Sequence, residues 1–163
     1  MHRTWRLAPV LALPALAAAA LLGPGASAQA PGARTLSLKE LEKGSTFTHV
    51  RNTKTRFARA NSRGDLIVFT NPLADASGQI VGKLHVNCAT TVGARNFLKS
   101  VMTCSGVVVL RDGTLTLQGA VKPNAATTTV AITGGTGAYA NARGVFVSAQ
   151  ARGGSQDTIT LAG

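Results

Sequence analysis

The chain has 163 residues, with 17 Lys plus Arg against 6 Asp plus Glu for a formal charge of +11, and only three His and two Cys. That length suits one domain with a core of its own. So few His, Cys and acidic residues leave no Ser/His/Asp, paired-carboxylate or metal-cluster pattern of the kind that announces many enzymes. The metal candidates His49, His85, Cys88 and Cys104 lack a two-pair zinc spacing, His85-x-x-Cys88 being half a site at most, so no metal is expected.

Met1 to Arg6 is a short basic region. Residues 7–22 form an apolar Ala/Leu run broken by Pro9 and Pro14, and Ala26-Ser-Ala28 supplies small residues for a cut. This is the pattern of a secretory signal peptide, and cleavage after Ala28 keeps Pro31 away from the cut. The alternative, a retained anchor, needs about 20 unbroken apolar residues. The expected organisation is a signal peptide at 1–28, a leader at 29–43 and one folded domain at 44–163, secreted and with no membrane span after cleavage. Losing Arg3 and Arg6 takes Lys plus Arg from 17 to 15 against 6 acids, leaving +9.

Helical periodicity is nearly absent, and only 36–43 admits a helical turn or two. Beyond it, alternating or β-branched runs predict eight strands, at 45–51, 65–71, 80–90, 101–110, 114–121, 127–133, 145–151 and 157–161. Arg111-Asp-Gly113 is a hairpin turn, and 75–78, 122–124 and 152–155 are turn material. Short links make antiparallel neighbours. Eight such strands can close into an up-and-down barrel that removes exposed edges, or stack as a two-sheet sandwich.

Between the first two strands, Arg51, Lys54, Arg56, Arg59 and Arg63 lie in a polar stretch without an acid. It offers weak contact to an anionic polymer, although Phe57 is the single aromatic among the charges and a solvated loop explains it as well. In the next strands, Ile67, Phe69 and Asn71 share one face, as do Leu84, Val86 and Cys88, which turns Lys83, His85 and Asn87 outward. Asn71 ends an apolar face, where it can orient a ligand or simply begin the turn at Pro72. Cys88 and Cys104, an even pair in an exported chain, suggest one disulfide, with a free thiol lining a pocket as the alternative.

The segment 131–144, Ala-Ile-Thr-Gly-Gly-Thr-Gly-Ala-Tyr-Ala-Asn-Ala-Arg-Gly, is the most informative. Gly135-x-Gly137-x-x-Ala140 imitates a dinucleotide fingerprint, but that needs a helix and a βαβ unit of roughly 30 residues. β-type alternation resumes at Val145, so a tight glycine corner between strands is expected.

Three segments together resemble the allene oxide cyclase/dirigent superfamily: Gly64 to Leu73 with Asn71, Val81-Gly82 followed by Cys88, and the glycine corner ending Ala142-Arg-Gly144. The resemblance implies an all-β, eight-stranded antiparallel barrel with an internal hydrophobic cavity, commonly assembled as a homotrimer. In the cyclases a pocket asparagine helps hold a water that anchors the substrate epoxide, and a first-strand glutamate supports ring closure. Asn71 and Cys88 match pocket positions, whereas 46–52 has no carboxylate. Dirigent proteins bind phenolic radicals and steer their coupling without oxidising them, and Arg143 matches an arginine of their Ala-Arg-Gly ending. Arg143 can equally close the barrel rim by its charge.

The ligand-binding candidates are thus Asn71, Phe69, Cys88, Tyr139, Arg143 and Phe146. The expected partner is a small hydrophobic or phenolic molecule, steered without a cofactor. A cofactor-free isomerase (cyclase) and a basic polyanion-binding protein are the alternatives.

Overall fold

The computed structural model describes residues 34–52, 54 and 61–162. The expected signal peptide, the start of the leader, and Arg56 and Arg59 of the basic stretch lie outside the described residues. Nine strands are found there: β1 Arg34–Leu41, β2 Thr46–Val50, β3 Leu66–Ala74, β4 Ile80–Val92, β5 Val101–Leu110, β6 Gly113–Val121, β7 Thr127–Gly135, β8 Gly144–Ala151 and β9 Gly154–Leu161. Each of the eight sequence-predicted strands coincides with one of β2 to β9, shifted by a few residues at its ends.

The added strand corrects the sequence reading. Residues 34–41 were expected in a leader, with a helical turn from 36. They form β1 instead, paired antiparallel with β9 along its whole length. The spacing of Leu36, Leu38 and Leu41 suits either period, and the partner strand decides it.

Strands β3 to β9 run as an antiparallel meander, and β1 closes the ring by pairing with both β9 and β3. The result is a closed eight-stranded barrel of nine strands, because β1 and β2 divide one stave. β2 pairs with residues 66–70 of β3, and β1 with residues 73 and 74. Pro72 falls at that seam, where a residue with no N–H costs the ladder least. No helix among the described residues is long and apolar enough to cross a membrane.

The interior is divided. At the end bearing the β3–β4, β5–β6 and β7–β8 connections, Leu38, Leu73, Leu84, Val108, Leu115 and Ile159 fill the barrel with other buried side chains. The glycine corner seals this end. Gly137 has φ 60°, and a Cβ on it would strike the Asp112 carbonyl. The 3₁₀ turn Gly137–Tyr139 folds Tyr139 inward to 4% exposure, under the Arg34 guanidinium 5.3 Å from its ring centre. The other half packs a smaller cluster, Ile67, Cys88, Met102 and Cys104, and leaves space.

Candidate functional site

The space is a lumen of about 310 Å³, near the low end for small-molecule pockets. Strand alternation supplies its wall. Phe69 and Asn71 come from β3, Val86 and Cys88 from β4, Met102, Cys104 and Gly106 from β5, Val130 from β7, and Phe146 and Ser148 from β8. Gly106, between Val86 and Leu117 on the neighbouring strands, presents no side chain to the lumen. Phe47 of β2 and Phe97 of the β4–β5 connection stand at the opening. The division between β1 and β2 adds a groove of about 510 Å³ that shares Glu40, Phe47, Phe69, Asn71 and Ser155 with the lumen wall.

One side of this apolar chamber is polar. On β1, Leu36, Leu38 and Glu40 share a face, and on β9 Ser155, Asp157, Ile159 and Leu161 share one. Glu40 lies opposite Ser155, Asp157 opposite both Leu38 and Ser148, so the two carboxyls are diagonal neighbours. Glu40, 7% exposed, accepts hydrogen bonds from the Asn71 amide and, at 3.3 Å, from the Ser148 hydroxyl. Asp157, 0% exposed, lies behind them. Neither of its oxygens makes a hydrogen bond of good geometry among the described residues, although Ser148 and Glu40 are near enough to act on its proton. Burial pushes the Asp157 carboxyl up to about 8, and the Glu40 charge adds to the rise while the Ser148 hydroxyl opposes it. Asp157 therefore keeps its proton at neutral pH.

A third buried carboxyl lies on the β2 side. Asp65 accepts from His49 Nε2 at 2.9 Å, from the Asn52 amide N at 2.7 Å and from the Ser62 amide N at 3.0 Å. Burial alone raises its carboxyl, but those three donors outweigh it and hold the group below the usual carboxylate value. This cluster ties β2 to the start of β3 and is not part of the lumen wall.

Of the residues singled out in the sequence, Asn71, Phe69, Cys88 and Phe146 come together in the lumen wall. Cys88 does so as half of a disulfide with Cys104, its register partner on the neighbouring strand, which removes the free-thiol alternative. Tyr139 and Arg143 lie apart from the lumen. Tyr139 caps the filled end, and Arg143 is exposed, with its guanidinium donating to the Ala142 carbonyl. His85 faces outward as expected, against Thr70 Oγ1 at 3.0 Å. Among the described residues no group of three His, Cys, Asp or Glu is placed to hold a metal ion.

Glu40 and Asp157 were missed. Glu40 falls in the expected leader and Asp157 at the start of the expected strand 157–161, close to a turn, so neither reads as a pocket carboxyl from the sequence. The available signal was period two: each acid continues a row of buried apolar residues, Leu36 and Leu38 in one case, Ile159 and Leu161 in the other.

The solved structures this chain is similar to include a pyocyanin demethylase, 23% identical with a TM-score of 0.66, the match covering 78% of this chain and 99% of that one. A pterocarpan synthase dirigent protein is 15% identical with a TM-score of 0.55, over 80% and 84% of the two chains. A Diels-Alderase from Streptomyces koyangensis is 14% identical with a TM-score of 0.57, over 84% and 70%. At these identities the shared property is the barrel. No curated protein matches the chain in sequence. The family described as allene oxide cyclase barrel like domain matches residues 45–158, most of the chain. The chain is a member of that allene oxide cyclase-like barrel family.

Proposed function

We propose that the barrel binds one small, largely apolar or phenolic molecule in its lumen and limits the geometry in which that molecule reacts. The observation that carries this reading is the one-sided chamber: Phe69, Val86, Val130 and Phe146 offer a flat guest apolar surface, while Glu40, Asn71 and Ser148 meet its oxygen or nitrogen. Confinement of this kind favours one reactive orientation by proximity alone, as a dirigent-like protein would. The dirigent protein and the Diels-Alderase among the similar structures support a guest in a barrel of this type. The N-terminal pattern supports secretion. The outward apolar residues Leu66, Val68 and Val109 support self-association, which we take to be a homotrimer, as the family resemblance implies.

A second reading, a cofactor-free isomerase or cyclase, is favoured by the carboxyl pair. Glu40 is placed to accept a proton from a guest, Asp157 holds one at neutral pH that can reach the guest past Ser148, and the proton gained by Glu40 then passes to its neighbour Asp157, restoring the starting pair. The net change moves a proton within the guest and consumes no co-reactant.

Calorimetric titration with 1-naphthol, a flat phenol, should show saturable one-to-one binding. Asn71→Ala should weaken it about five- to tenfold, the worth of one hydrogen bond, with the melting transition retained. Absence of saturable binding, or binding that Asn71→Ala and Glu40→Gln both leave unchanged, would remove the lumen as the site. Incorporation of solvent deuterium at a carbon of the bound guest, faster than without protein and abolished by Glu40→Gln, would select the second reading.

A further inference from the structure

We propose that the open end of the barrel docks on an anionic lipid surface, so that the lumen faces the bilayer from which an apolar guest would come.

The argument begins with where the acids are. Of the six in the chain, Glu40, Asp65 and Asp157 are buried. Asp75 and Asp112 sit on the β3–β4 and β5–β6 connections, at the filled end. Only Glu42, among the described residues, remains as an acid at the open end. The exposed cations there include Arg51, Lys54 and Arg63 on the β2–β3 connection, Arg95 and Lys99 on the β4–β5 connection, Lys122 on the β6–β7 connection and Arg152 on the β8–β9 connection. At the filled end Asp75 and Asp112 offset part of the charge of Arg34, Arg111 and Arg143, so the excess of positive charge is greater around the mouth.

The same end carries bare apolar side chains. Val92 is 53% exposed, Leu98 48% and Phe97 36%. They are held there by an ordered connection. The 3₁₀ turn Phe97–Lys99 is capped by Asn96, whose side chain accepts from the Leu98 amide N at 2.9 Å. The Ser100 hydroxyl donates to the Phe97 carbonyl at 2.6 Å, and the Ala94 amide N donates to the Asn61 carbonyl at 2.9 Å. The connection thus presents Leu98 outward on a fixed base, while Phe97 stands at the rim and also forms part of the lumen wall.

Apolar tips set among cations are the two signals that together hold a peripheral protein at a membrane interface, neither being sufficient alone. A soluble polyanion would use the cations and gain nothing from Leu98 or Val92 in water. A bilayer uses both, which is why lipid is the better occupant. The proposal concerns the rim and stands whether or not the lumen binds 1-naphthol.

The test is co-sedimentation with vesicles, using protein recovered after export with its N-terminus read by mass spectrometry. Vesicles of 70% phosphatidylcholine and 30% phosphatidylglycerol should carry the protein down, and pure phosphatidylcholine should not. Arg95→Gln with Lys99→Gln should lower partitioning by roughly 25-fold, about fivefold for each cation. Leu98→Ser should lower it several-fold, and Arg111→Gln at the filled end should leave it unchanged. Equal binding to neutral vesicles, or anionic binding that the double charge variant does not alter, would overturn the proposal. So would a profile in which heparin competes fully and Leu98→Ser has no effect, which marks a soluble polyanion as the partner. Arg95 and Lys99 are exposed, so the charge variants decide the matter even if Leu98→Ser melts early.

Discussion

Asp65 and Asp157 are the same residue type, each with 0% exposure and each on a barrel strand or its first turn, yet they hold their protons oppositely. Asp65 faces three donors and stays ionised below the usual range, whereas Asp157 faces Glu40 and no well-placed donor and keeps its proton to about 8. Both side chains are buried, so their neighbours make the difference: three donors, one of them His49, around Asp65, and the Glu40 charge beside Asp157. A buried carboxyl whose partners are supplied by the fold is spent on the fold. One left without them costs stability, and a lumen beside it is where that cost acquires a use.

The largest effect should come from the satisfied group. Asp65→Ala leaves the His49 ring and the Asn52 and Ser62 amides facing an empty site, and should cost about 3–5 kcal/mol in urea unfolding at pH 7. The sign follows from the lowered value: the contribution is present above the ordinary carboxylate pKa and is lost as pH falls through the folded one. The gap between wild type and variant should therefore narrow below about pH 4. A gap that stays constant down to pH 2 would mean that Asp65 acts through packing and not charge.

Asp157→Asn should behave the other way. A raised folded value gives a contribution that is complete below the ordinary carboxylate pKa and is lost as pH rises through about 8. The wild type should lose up to ~1.4 kcal/mol of stability per pH unit across that window from this group, and the amide variant should not. Below about pH 4 the swap exchanges one uncharged side chain for another in both the folded and unfolded chain and should change little; as pH rises through the window the variant should become the more stable protein, and above about pH 8 its lead should stop growing. Parallel profiles between pH 5 and 9 would show that Asp157 is ionised throughout.

These two residues also mark the limit of what the sequence disclosed. Alternation located β2 to β9, the glycine corner was visible from Gly134, Gly135 and Gly137, and Phe69 with Asn71 on one face pointed to the lumen. β1 was hidden by its own function, because a core-facing Glu40 interrupts the apolar row that would have declared a strand. Asp157 was hidden for the same reason, standing beside the glycines of the β8–β9 turn. The disulfide left Cys88 and Cys104 open to two readings until the register of β4 on β5 placed them opposite each other. Arg143 belonged to a conspicuous motif, but that motif closes the filled end and so never reaches the lumen.

The finest distinction concerns Ser148. Its hydroxyl donates a long hydrogen bond to Glu40 and is the group that draws the Asp157 value down. Ser148→Ala removes a single weak donor, so the stability change at neutral pH should be at most about 1 kcal/mol. Its effect on titration should be clearer. With the hydroxyl gone, nothing opposes burial and the Glu40 charge, and Asp157 should release its proton above the wild-type midpoint. A ¹³C carboxyl titration followed by NMR reads this directly, with Asp65 as an internal reference that should not move because His49, Asn52 and Ser62 are untouched. If the Asp157 midpoint fell in the Ala variant, water entering beside the lost hydroxyl would be solvating the carboxylate, and the dryness of the pocket would then depend on Ser148 filling it.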